Sequence, residues 1–135
     1  MPIIGTGVDL AEVARVRAAL ENARTGARFR ARVFTAGEQA YCENRGRGRY
    51  QSYAARFAAK EAAMKALGVG WGRHASWLDV EVVRQPGGRP KIILAGSAAA
   101  YALAIKVARL HLALTHTADL ALAQVIAEGA DAEPG

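Results

Sequence analysis

Residues Arg56 to Leu67 read Arg-Phe-Ala-Ala-Lys-Glu-Ala-Ala-Met-Lys-Ala-Leu and are followed by Gly68. Alanine, leucine and methionine are strong helix formers, so the run predicts a helix. Gly68 suits its left-handed C-terminal stop. A helix apolar on nearly all sides has to be covered by other elements, which places this one at the centre of whatever the chain folds into. Yet it carries Arg56, Lys60, Glu61 and Lys65. Charges inside a protein are costly unless they meet other charges, a metal or a charged ligand.

At about 100° per residue, Tyr53, Phe57, Met64 and Leu67 fall on one arc, and Ala55, Ala59, Ala62 and Ala66 on another. Arg56 and Lys60 share one seam between the arcs; Glu61 and Lys65 share the other. Two readings are open. The seams line a cleft at a subunit interface, with one carboxylate among three cations holding a metal ion against a polyphosphate. Or they are solvated stripes, whose Glu-to-Lys pair is worth roughly a few tenths of a kcal/mol.

The surrounding pattern predicts a small α+β domain. Ile3 to Val8 reads as a first strand, with Asp9 at the point where strand yields to helix. Leu10, Val13, Val16 and Leu20 mark the apolar face of that helix, which Gly26 interrupts. Thr35 and Glu38 have capping-box spacing, so a short helix is expected after Thr35. A basic loop follows from Asn44 to Gln51, and Ser52 is placed to cap the central helix. Trp77 to Arg84 and Lys91 to Ala95 read as a hairpin around Pro86, Gly87 and Gly88. Ser97 is expected to cap a further helix running to about Val107. Leu110 to Thr115 and Leu120 to Ala127 read as a second strand pair. Residues 1–127 are thus expected to form one domain, and 128–135 a flexible acidic tail.

The 135 residues carry a formal charge of +6, which points to an acidic or phosphorylated partner without choosing among them. A nucleic-acid module fits the arginine-rich stretches, but no recognisable nucleic-acid motif or stacking platform accompanies them. Cys42 is the single cysteine, so no internal disulfide is possible, and it is expected to be a small buried hydrophobe. No signal-peptide pattern and no apolar run of membrane-spanning length occurs. A cytoplasmic protein is expected.

Asp9 follows Gly7-Val8 and has two readings of its own, a helix N-cap or a ligand; Glu12 nearby favours the cap. Paired with Glu61 it points to a Mg²⁺ site if the two meet in the fold, since Mg²⁺ takes one or two carboxylates along with water and substrate phosphates.

Gly7-Val8-Asp9-Leu10-Ala11-Glu12, Arg56-Phe57-Ala58-Ala59-Lys60-Glu61-Ala62 and Lys65-Ala66-Leu67-Gly68 together closely resemble the holo-acyl-carrier-protein synthases, the short phosphopantetheinyl transferases. The resemblance extends to Phe34-Thr35-Ala36-Gly37-Glu38, to Gly88-Arg89-Pro90 and to the stretch His111 to Thr117. It implies the fold of that family, a small antiparallel sheet packed with a long Ala-rich helix and shorter helices. It also implies transfer of 4′-phosphopantetheine from coenzyme A to a serine of apo acyl carrier protein, releasing 3′,5′-ADP, in fatty-acid biosynthesis. By the same resemblance Asp9 and Glu61 are the Mg²⁺ ligands, Lys65 assists the departing phosphate, and Glu61 is the first candidate base. Coenzyme A contacts are expected at Arg49, Arg56, Lys60, Gly68, Gly88, Pro90, His111 and Thr115, with Arg47 a looser candidate. Gly88, Arg89 and Pro90 are expected to approach the adenine from a neighbouring subunit of a homotrimer. Arg15, Arg17, Arg24 and Arg28 resemble the docking surface for the acidic carrier. Met64 departs from relatives that carry a small polar residue there.

Overall fold

The computed structural model describes residues 2–72 and 74–131. Its elements run β1 (Ile3–Glu12), α1 (Val13–Glu21), α2 (Gly26–Val33), α3 (Ala36–Glu43), α4 (Arg49–Leu67), β2 (Val80–Arg84), β3 (Pro90–Leu94), α5 (Gly96–Ala104), β4 (Val107–His116) and β5 (Leu120–Gly129). β1, β5 and β4 form an antiparallel sheet in that order, and β2 and β3 a separate hairpin. This is the expected α+β arrangement. The predicted Ala-rich helix, α4, lies across the three-stranded sheet and is buried along most of its length.

Small residues bring helix and sheet together. On β1 the side that meets α4 carries Gly5, Gly7 and Ala11; on β5 it carries Ala121, Ala123, Val125 and Ala127, all buried. A Cβ added to Gly7 would stand 1.9 Å from the carbonyl oxygen of Ala62 and 2.8 Å from the amide nitrogen of Ala66. The obstacle is backbone, which cannot step aside as a flexible side chain would. Gly7→Ala is therefore expected to cost more than about 2 kcal/mol by forcing β1 off α4, readable as a lowered midpoint in chemical denaturation.

Several boundaries differ from the sequence expectation. The first strand does not stop at Val8. Asp9, Leu10, Ala11 and Glu12 pair with Ala123, Leu122, Ala121 and Leu120, so the ladder to β5 carries the strand four residues further. Leu10 accordingly sits on the outer side of the sheet, more than half exposed, instead of on the apolar face of α1. Gly26 opens a helix of its own, α2, packed so tightly under α1 that a Cβ would lie 2.2 Å from the Leu20 carbonyl oxygen. Ser52 lies inside α4, which starts at Arg49, and Ser97 gives α5 no side-chain cap. α5 ends at Ala104, and Lys106, at φ +67°, turns the chain into β4 at Val107. The expected tail yields its first two residues, Glu128 and Gly129, to β5; residues 132–135 lie outside the described residues.

Other expectations hold. Gly68 closes α4 at φ +76°. Thr35 Oγ1 accepts from the Glu38 amide while Glu38 Oε1 accepts from the Thr35 amide, a complete capping box. Cys42 is buried, and burial pushes its thiol up to about 12. Among the described residues no helix is long and apolar enough to cross a membrane.

Candidate active site

The pleat of β1 decides where Asp9 points. Side chains alternate along a strand, so Asp9 shares the side of Gly5, Gly7 and Ala11 and faces α4. There it meets Lys65, whose Nζ donates to Asp9 Oδ1 at 3.1 Å and to the Val8 carbonyl at 3.0 Å. Glu61 stands one turn earlier on the same side of α4. These three line an open cleft of about 440 Å³ together with Arg15, Phe29 and Phe57. The seam Glu61–Lys65 predicted from spacing is the one that opens into this cleft.

Burial is the main influence on Glu61 and holds its carboxyl above the usual carboxylate range. The indole N–H of Trp71, on Oε1 at 3.3 Å, pulls the other way. The charge of Asp9 adds to the upward shift and that of Lys65 opposes it. Two carboxylates that raise one another's cost are a setting a cation relieves. Among the described residues no cluster of three or more His, Cys, Asp or Glu could hold a metal ion. A pair of oxygen donors in an open cleft fits Mg²⁺, which keeps waters and recruits substrate phosphates, and is too sparse for a closed zinc site.

The second seam has a different fate. Lys60 is fully buried. Its ammonium meets Glu38 Oε1 at 2.7 Å and donates to the carbonyls of Trp77 at 3.0 Å and Val80 at 2.6 Å. Three acceptors take its three N–H donors, leaving none for the phosphate it was expected to grip. The correction has a plain cause: β2 and the turn before it fold over this side of α4. Burial still presses the lysine downward from its ordinary value, with Glu38 opposing. Arg56 is nearly buried too, stacked at 4.0 Å on the ring of Tyr41, and among the described residues its Nε has no hydrogen-bond partner. Unlike Lys60 it borders a small opening, lined also by Ser52, Arg84, Thr115 and His116.

The remaining expected residues are dispersed. Arg49 begins α4 and lies over Tyr50 in a shallow cleft with Arg17 and Arg47. Arg17 also pairs with Glu21 at 3.0 Å, while Arg15 reaches the mouth of the main cleft. Arg24 and Arg28 are exposed on the turn after α1 and on α2, so they do not continue the helix that carries Arg17. His111 and Thr115 share one side of β4 by strand alternation and are exposed there, and His111 Nε2 sits 3.4 Å from Glu128. Gly88 and Pro90 form the far end of the β2–β3 hairpin, at φ +89° for Gly88, and do not line the main cleft. Gly68 caps α4 next to the loop that carries Trp71.

Sequence reasoning missed Trp71 and the pairing of Glu38 with Lys60. Glu38 was legible only as the third residue of a capping box. Nothing in the spacing tied Trp71 to Glu61.

Comparison with known proteins agrees over nearly the whole chain. The sequence profile of the 4′-phosphopantetheinyl transferase superfamily matches residues 5–125. A holo-[acyl-carrier-protein] synthase of Solibacter usitatus is 48% identical over 126 residues, covering 93% of this chain and 98% of that protein. One from Anaeromyxobacter dehalogenans is 51% identical over 128 residues, covering 94% and 97%. The crystal structure of a holo-(acyl-carrier-protein) synthase from Bacillus anthracis in complex with CoA (3′,5′-ADP) superposes with a TM-score of 0.77 at 32% identity, over 95% of this chain and 98% of that one. The Helicobacter pylori synthase in complex with coenzyme A gives 0.79 at 28% identity, over 91% and 99%.

Proposed function

The chain belongs to the 4′-phosphopantetheinyl transferase superfamily and is a phosphopantetheinyl transferase, and from that premise we propose its reaction in full. It moves 4′-phosphopantetheine from coenzyme A to a serine of apo acyl carrier protein, with Mg²⁺ as cofactor and 3′,5′-ADP as the other product, serving fatty-acid biosynthesis in the cytoplasm. The observation that carries this reading is the convergence of Asp9 from β1 with Glu61 and Lys65 from α4 on one open cleft.

Asp9 and Glu61 would hold the metal, which when bound neutralises pyrophosphate charge as the phosphoanhydride breaks. Lys65, about half exposed and tethered to Asp9 at 3.1 Å, keeps its ammonium at the cleft, where it can meet the departing phosphate. Glu61 accepts the serine proton. Arg15 stands at the entrance and, with Arg17, Arg24 and Arg28, steers the acidic carrier. Arg49, which borders one shallow cleft, and Arg56 and Thr115, which border another, supply donors to coenzyme A phosphates, and His111 on β4 is a further contact.

The sheet's outer side supports association of the chain, which we read as a homotrimer with sites at its subunit boundaries. Ile4, Val8 and Leu10 of β1 and Leu120 and Leu122 of β5 are all exposed there, with Leu10 directly opposite Leu122. A contiguous apolar patch of this kind marks an association surface. Gly88 and Pro90, which do not line the cleft within one chain, would approach the adenine from a neighbouring subunit. Leu10→Glu with Leu122→Glu is expected to convert a sedimenting trimer to monomer; a double variant that remains trimeric rules this surface out as the interface.

The direct test of the reaction is intact-mass spectrometry of several bacterial apo carrier proteins incubated with the protein, coenzyme A and Mg²⁺. One added phosphopantetheine per carrier is expected. No mass gain on any carrier would overturn the assignment.

A further inference from the structure

The loop that follows α4 sends one side chain back to the cleft. Trp71 lies just beyond the Gly68 cap, and its indole Nε1–H donates to Glu61 Oε1 at 3.3 Å. The indole is held in place by other rings. Trp71 stacks on Trp77, with centroids 3.9 Å apart and planes 20° apart. Trp77 stacks in turn on Phe57 of α4 at 5.1 Å and 24°, and Phe57 meets Phe29 of α2 at 6.3 Å. The stack has a firm footing, because the Trp77 carbonyl accepts from the buried ammonium of Lys60 at 3.0 Å. Behind it, the Gly72 amide donates to the Ala75 carbonyl at 2.7 Å and closes the loop.

Nothing in ring packing alone requires that the polar edge of Trp71 meet a carboxylate. A phenyl ring would fill the same stack. The consequence of an indole is that one oxygen of Glu61 is occupied by a fixed donor, while no described residue bonds Oε2. An unrestrained glutamate has several rotamers open to it, and a donor on one oxygen removes most of them. Groups that orient a metal-binding carboxylate through its free oxygen commonly change metal affinity tenfold or more.

We propose that Trp71 is a positioning residue for the transfer reaction: its indole N–H, locked by the Trp77–Phe57–Phe29 stack, orients the Glu61 carboxylate for the divalent cation. The proposal rests on the reading of Glu61 as a metal ligand. It also gives buried Lys60 a part in the site, since Lys60 anchors the turn on which the stack is built.

Trp71→Phe separates the two roles of the ring, keeping the stack and deleting the donor. Mn²⁺ affinity in the presence of coenzyme A, read from the electron paramagnetic resonance of free Mn²⁺, is expected to fall about tenfold. The KM for coenzyme A and the melting temperature should stay near their wild-type values. In ¹H–¹⁵N spectra of the wild-type protein and Glu61→Gln, the Trp71 indole peak should move while the Trp77 peak moves far less. Mn²⁺ binding by Trp71→Phe within twofold of wild type, or a Trp71 indole peak indifferent to Glu61→Gln, overturns the positioning role and leaves the metal reading of Glu61 intact. A wild-type protein that binds no Mn²⁺ beside coenzyme A overturns that reading itself, and the positioning role with it.

Discussion

Glu61→Gln is expected to lower Mg²⁺-dependent transfer by about 10³-fold or more, while the protein stays folded. The substitution keeps the shape of the side chain and its acceptor for Trp71, but removes the charge that would face the metal and the site that would take the serine proton. The stability side has a definite sign. The Glu61 carboxyl titrates above its ordinary value in the folded protein, chiefly through burial. Whatever stability that shift represents is present below the unfolded-state pKa and lost as pH rises through the folded one, so at pH 7 the ionised group carries a cost. Metal-free Glu61→Gln should therefore melt no lower than the metal-free wild type. Single-turnover transfer at saturating coenzyme A, with thermal melting alongside, checks both halves. Retained turnover would remove Glu61 from the metal site. Lost turnover with a collapsed melting temperature would point to the fold instead.

Breaking the Lys60–Glu38 pair is expected to have the largest effect on stability. Both side chains are fully buried, 2.7 Å apart. Glu38 is further held by the amides of Thr35 and Val82, each at 2.9 Å. Lys60→Met leaves an ionised carboxylate in the core with no cation, a change that typically costs about 3–5 kcal/mol. In a domain of this size that lowers the melting midpoint by roughly 10 °C or more. Replacing both partners, Lys60→Met with Glu38→Gln, should recover part of the loss, since no unpaired charge remains. Denaturation at one fixed protein concentration measures this without interference from subunit association. A single variant as stable as wild type would show that the pair is dispensable.

The two halves of α4 show how far local pattern reaches. Its extent as a helix, its burial and the division of its charges into two seams follow from alanine content and 3.6-residue periodicity, properties of neighbours in sequence. The outward direction of His111 and Thr115 follows from strand alternation for the same reason. The pattern could not say which seam meets a ligand. A lysine on a buried helix needs a negative partner, and the family resemblance points Lys60 to phosphate. That partner proved to be Glu38, with two backbone carbonyls. Carbonyls of a distant turn leave no trace in residue type.

Asp9 marks the same boundary from the other side. That it belongs with Glu61 was legible from the ordered motifs, whereas its local structure was not. A short stretch such as Val8 to Val13, apolar but for Asp9 and Glu12, suits strand or helix about equally. Pairing with Leu120 to Ala123, more than a hundred residues on, settles it as strand and turns Asp9 toward α4. By itself, then, the sequence determined the central helix, the α+β class, the family and the carboxylate pair, because each is carried by local spacing or by motifs in order. Tertiary structure alone decided that the Glu61–Lys65 seam is the open one, that Lys60 is a core cation and that Trp71 bonds Glu61. Each of those depends on which distant backbone or ring comes to lie against α4, and only the folded chain specifies that.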